Sequence, residues 1–210
     1  MKIPYGASCA ECGSPAVVNV SLSDNQFIWK CKCGWSNDVH VGAEFSIGWR
    51  LLTRSEYEIE ENEDYSMAIV LAAMAFDCEL SQLFFKWKSI AADATGKPAD
   101  GQALEDELRS LGNVELRIKN IAILLDPRGF GGFLRSMPNI NSYVHEHFPH
   151  VHVDTAEKDF QEELFWPRNR ILHQGFTHYT KEDAKRCWQM ASLGLMVLFE
   201  MDAARRQQNG

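Results

Sequence analysis

The chain has 210 residues, 45% hydrophobic and 11% aromatic, which is enough apolar mass for a packed core. That excludes a disordered chain and a disulfide-stapled miniprotein. A formal net charge of −8 argues against a protein that coats nucleic acid at large, yet leaves room for a local anion-binding site. The longest apolar run, Met67 to Phe76, is about half a membrane span, so no membrane partner is expected. The opening residues MKIPYGASCAECG carry no apolar signal region, which places the chain in the cytoplasm as an expectation.

Residues 1–43 read as a small, charge-neutral β module. Residues 15–22, 26–31 and 36–41 alternate as short strands do, separated by Ser-Asp-Asn and Cys-Gly turns. Four of the six cysteines fall here, as Cys9-Ala-Glu-Cys12 and Cys31-Lys-Cys33. In a reducing compartment, clustered thiols point to a metal rather than to disulfides. Two tight turns, each offering two thiolates, suit tetrahedral Zn²⁺, with Gly13 and Gly34 letting the backbone fold under the ion. The arrangement resembles a zinc ribbon, although the second pair has one spacer residue where most ribbons have two. Four cysteine ligands leave no open position, so the zinc is expected to be structural; the alternative is a reactive thiol pair. Trp29 and Trp35 flank the second pair as hydrophobic support, or as surfaces on which bases stack.

Residues 44–64 end in YEIEENEDY and read as an acidic linker or the approach to a helix. From residue 65 to 210 the pattern is helical. Met67, Leu71, Met74, Cys78 and the pair Leu83–Phe84 recur at helical spacing, while Ile69, Val70, Phe76 and Leu80 make other sides apolar too. Leu104, Leu108 and Leu111 predict a short helix ending near Gly112. Asn113 can cap the next, whose Val114, Ile118, Ile121, Ala122 and Leu125 share a face. Residues 127–153 are irregular, with one or two short helices. Asp154 and Glu157 suggest a capping box for a helix through Trp166, which Pro167 then kinks or restarts. Thr180 caps the last helix, with its stripe Ala184, Cys187, Trp188, Ala191, Leu195, Leu198 and Met201.

The segment Phe165-Trp166-Pro167-Arg168-Asn169-Arg170-Ile171-Leu172-His173-Gln174-Gly175 carries the chemistry. On a helix starting at Pro167, Asn169 and His173 share a face and Arg168 can reach the same ligand. A guanidinium neutralises charge on phosphate oxygens, an imidazole moves a proton, and an amide orients one of them. This Arg-Asn-x-x-x-His run, before a glycine, a short loop and a capped amphipathic helix, resembles the signature of HEPN domains. The resemblance extends more loosely over residues 65–204. It implies a mainly α fold, a HEPN-like helical bundle preceded by the small β zinc ribbon. It further implies Arg168, Asn169 and His173 as the catalytic triplet of a metal-independent endoribonuclease, often part of a toxin–antitoxin or antiphage system. Glu79 lies in the first long helix, where the family often has a polar residue near its site, and Arg170 is a further candidate for RNA contact.

Cleavage by the 2′-hydroxyl requires one proton to be removed and another delivered, and one histidine cannot do both at once. A two-fold homodimer bringing two His173 residues together can, and the resemblance implies such a composite site. The expected partners are therefore RNA, a second copy of the chain and, in a toxin setting, an antitoxin or other protein. A non-catalytic HEPN-type module that binds RNA or protein is the alternative. His145, His147, His150 and His152 form a separate cluster: a loop lining the same cleft, or a transition-metal site.

Overall fold

The computed structural model describes residues 2–8, 11–12, 15–21, 26–40, 46–137, 144, 146 and 151–209. Two antiparallel hairpins come first. β1 (Lys2–Ser8) pairs with β2 (Pro15–Ser21), Lys2 opposite Ser21, and β3 (Gln26–Lys30) pairs with β4 (Ser36–His40), Gln26 opposite His40. β1 is an addition to the three expected strands. Pro4 and Gly6 mask it in the sequence, because both are poor strand residues.

The chain is otherwise mainly helical, as expected. The stretch read as an acidic linker is helix α1 (Ile47–Glu60), capped by Ser46, whose hydroxyl accepts from the Trp49 amide. Its acidic residues split by face. Glu60 and Glu61 are exposed, whereas Leu52, Ser55, Glu58 and Ile59 are buried. The buried Glu58 carboxylate is matched by Arg54 at 2.6 Å and by the Asn62 amide at 2.7 Å. Counting charges hid an amphipathic helix whose inner face needs only a few apolar residues.

Helix α2 (Tyr65–Ala94), capped by Asp64, runs through the centre. By length and composition it is long and apolar enough to cross a membrane. Ile69, Val70, Phe76, Leu80, Leu83 and Phe84 are buried in the bundle. The other apolar stripe of this helix, read from the same pattern, faces outward: Met67 and Met74 are exposed, with Leu71 and Cys78 half-buried. Ser55 donates to the Ala68 carbonyl at 2.7 Å, and the Trp188 indole donates to the Leu52 carbonyl at 3.0 Å; both tie α1 into the core.

Helices α3 (Gly101–Ser110), α4 (Val114–Leu125) and α5 (Gly129–Ser136) follow. Asn113 caps α4 as expected, and Ile118, Ile121, Ala122 and Leu125 form its buried face. Arg117 on α4 reaches Asp77 at 2.9 Å and the Ser81 hydroxyl at 3.0 Å, fixing α4 against α2. A 3-10 turn (Val153–Thr155), α6 (Ala156–Phe160), a π turn (Gln161–Phe165), α7 (Trp166–Gln174) and α8 (Lys181–Asn209) complete the chain. The capping box expected from Asp154 does not form. Asp154 pairs with Arg135, and Asp159 accepts from the His152 amide and the Thr155 hydroxyl.

Thr180 and Asp183 cap α8 reciprocally, and every residue of its expected stripe is buried. Gly194 lets α8 close onto the aromatic core. A Cβ there would stand 2.5 Å from the Phe76 ring and 2.7 Å from Phe160. Phe76, Phe130, Phe160 and Phe165 form that core, with ring centroids 5.1 to 6.5 Å apart.

Candidate functional site

Helix α7 starts where the aromatic core ends. In an α-helix, residues five apart point in different directions, but a π turn with its i→i+5 bonds brings them to one side. The turn Gln161–Phe165 thereby puts both Phe160 and Phe165 into the core. Pro167 follows. It has no N–H to offer the Glu163 carbonyl four residues back, and the Cys187 thiol on α8 donates to that carbonyl at 3.3 Å.

Burial pushes the Cys187 thiol up to about 12, so it stays a protonated donor. Replacing Cys187 with alanine leaves the carbonyl without that donor and opens a small void. The expected cost is about 1–3 kcal/mol in urea unfolding, with serine recovering part of it. A thiol reagent should fail to label Cys187 in the native state and label it in denaturant.

The far end of α7 is held by the loop that leaves it. Gly175 takes the left-handed conformation (φ 64°) that ends the helix, and its amide donates to the Ile171 carbonyl. The chain then folds back along the helix. The Arg170 guanidinium lies 4.0 Å from the Phe176 ring centroid, Phe176 meets Tyr179 edge-on at 5.0 Å, and the Tyr179 hydroxyl donates to the Pro167 carbonyl at 3.2 Å. The Thr177 carbonyl accepts from Ser66 at the start of α2. Short as it is, α7 is anchored at both ends.

The expected triplet comes together in part. Arg168 donates through Nη1 to the Asn169 Oδ1 at 2.8 Å. Asn169 and His173 are exposed and four residues apart, on one side of α7. Among the described residues, nothing hydrogen-bonds the His173 ring. Residues 166–180 contain Arg168 and Arg170 and no Asp or Glu, a locally cationic stretch in an acidic chain.

Arg170 serves Phe176 rather than the open face. Glu79 is not brought to α7 either. It sits on the side of α2 turned to α1, its Oε2 enclosed 2.9 Å from where a Gly48 Cβ would stand. Burial raises its carboxyl above the usual range, against the lowering effect of Ser46. His145, His147 and His150 lie outside the described residues, and the His152 amide is engaged by Asp159. One residue that the sequence reading passed over stands out. Trp166 is 64% exposed, the most open of the large apolar side chains described.

The second candidate site lies between the hairpin loops. Cys12, Cys31 and Cys33 place their sulfurs within 4.8 Å of one another, close enough to bind one metal ion. The Cys12–Cys31 separation of 3.6 Å is far beyond a disulfide bond and close to the ~3.8 Å edge of a tetrahedron with Zn–S bonds of about 2.3 Å. The second loop is tightly closed: the Cys31 amide donates to the Trp35 carbonyl and the Gly34 amide to the Cys31 carbonyl, each at 2.9 Å. Gly34 has the positive φ (89°) that this turn requires. Cys9, the fourth expected ligand, lies outside the described residues. Comparison with protein-family models, with curated proteins and with solved structures finds no match for this chain.

Proposed function

We propose that the chain is a HEPN-type, metal-independent endoribonuclease that works as a homodimer, with a structural zinc ribbon at its N-terminal end. The observation that carries this reading is the exposed helix α7. It presents Asn169 and His173 on one side, with Arg168 hydrogen-bonded to the same amide, inside a stretch free of carboxylates. Arg168 binds the phosphate oxygens and Asn169 steers the guanidinium. His173 handles the proton on the attacking 2′-hydroxyl or on the leaving 5′-oxygen.

A single imidazole without a partner covers half of that proton traffic, so the second His173 comes from the other protomer. Exposed Met67 and Met74 on α2 and Phe199 on α8 supply apolar surface for such a dimer. The products are a 2′,3′-cyclic phosphate and a 5′-hydroxyl. Growth arrest as a toxin, or defence against phage, is the setting that this activity fits.

Zinc fits the thiol trio, with Cys9 as fourth ligand; its part is to fold the hairpins, and no catalytic step passes through it. The test is cleavage of single-stranded RNA in the presence of a chelator, with fragment ends identified. The reading expects cyclic phosphate ends and no cutting where the scissile nucleotide is 2′-deoxy. Equal cutting of DNA would refute it. A second reading, a HEPN-type module that binds RNA or protein without cutting, is favoured by the same His173 ring, which has no hydrogen-bond partner among the described residues. It expects RNA or partner binding with no fragments under any of these conditions.

A further inference from the structure

Trp166 opens the helix that carries the proposed catalytic residues, and its indole is not part of the core that Phe165, its neighbour, completes. At 100° per residue, Trp166, Asn169 and His173 (positions i, i+3 and i+7) fall within about 60° of one another around α7. The indole therefore shares the open side of the helix with the amide and the imidazole. Arg168 and Leu172 fall further round. Along the axis, the seven steps from Trp166 to His173 span about 10 Å, which matches one to two nucleotides of extended single-stranded RNA.

The geometry points to Trp166 as a stacking platform for an unpaired nucleobase beside the scissile phosphate, making single-stranded RNA the substrate class of this site. This inference rests on the ribonuclease reading and adds a specificity element to it. Charge favours a nucleic acid as the occupant. The indole lies in the stretch of residues 166–180 that has two arginines and no carboxylate, although the chain as a whole is acidic. A duplex keeps its bases stacked on one another and cannot offer one to the indole; a loop or single strand can.

The experiment measures binding in the His173→Ala background, where RNA stays whole, and cleavage in the otherwise native protein. Trp166→Ala should weaken binding of a short single-stranded RNA by roughly tenfold and raise KM similarly, the loss expected for one base–aromatic stack. Its kcat should stay within about twofold of the unsubstituted protein. Trp166→Phe should keep most of the affinity. An abasic position in the RNA should cost the parent protein the same roughly tenfold and cost the Trp166→Ala variant nothing more, since the two changes remove one contact.

Unchanged affinity in Trp166→Ala, additive losses with the abasic RNA, or a loss of dimer in sedimentation would overturn the assignment, the last by giving the indole to a protein contact. Failure of the ribonuclease reading shows separately, as absence of cleavage by the native protein while the binding series still reports on Trp166.

Discussion

Replacing His173 with alanine is expected to lower RNA cleavage by about 10²–10⁴-fold while leaving the fold intact, because a positioned general acid or base contributes that much. In the proposed dimeric site both proton-transfer positions are emptied by the one substitution, which puts the expected loss at the upper end of the range. In barrier terms this is about 3–5 kcal/mol. The ring is exposed and has no hydrogen bond among the described residues, so thermal stability should move by no more than about 0.5 kcal/mol. RNA affinity should also survive, since Arg168 and Trp166 remain. A folded variant that cuts as fast as the parent removes His173 from the chemistry.

The second large effect concerns the metal. Cys31 is the buried member of the thiol trio, 3.6 Å from Cys12, and Cys31→Ser should abolish stoichiometric zinc binding. Structural zinc sites contribute about 10–16 kcal/mol of apparent binding free energy, and a small module with little core of its own has nothing comparable to replace it. Zinc content by elemental analysis should fall from one ion per chain to almost none, and limited proteolysis should then cut within residues 1–43. The helices have their own core of Phe76, Phe84, Phe130, Trp188 and their neighbours, so most of the helical circular dichroism should persist. Equimolar zinc retained by Cys31→Ser would show that these thiols are not the site.

The parts of the fold legible in the sequence are those where one local signal decides. The stripe of α8 was readable because its buried positions repeat at helical spacing, and Asn113 and Thr180 because a cap needs only one side chain in place. α1 was not readable, since six acidic residues in residues 56–64 outweighed a narrow buried face, and the i, i+4 pairs that Glu58 makes with Arg54 and Asn62 become visible only once the segment is taken as a helix. On α2 both apolar stripes looked alike; only the packing of α8 and α1 decides that Phe76 is inside and Met74 outside. The π turn left a faint trace, the five-residue spacing of Phe160 and Phe165 ahead of Pro167.

The same division holds for the candidate sites. The spacing of Arg168, Asn169 and His173 was visible, as was that of the cysteines, because both sets come from short stretches of chain. Tertiary placement decided the rest. Glu79 faces α1, Arg170 lies over Phe176, and Cys187, read as part of the apolar stripe of the last helix, also donates to the carbonyl that Pro167 cannot serve. Trp166 was written in the motif itself. Its exposure follows from the core position of Phe165, which no local pattern announces.

The most direct test of the composite site is a mixing experiment. Native protein and His173→Ala chains are combined in equal amounts under conditions of subunit exchange, and the cleavage rate is compared with that of an all-native sample at the same total chain concentration. If each scissile phosphate needs an imidazole from both protomers, only dimers with two native chains cut, and activity falls to about a quarter of that of the all-native sample. Activity of about one half would mean that each protomer cuts alone, and would contradict the shared site.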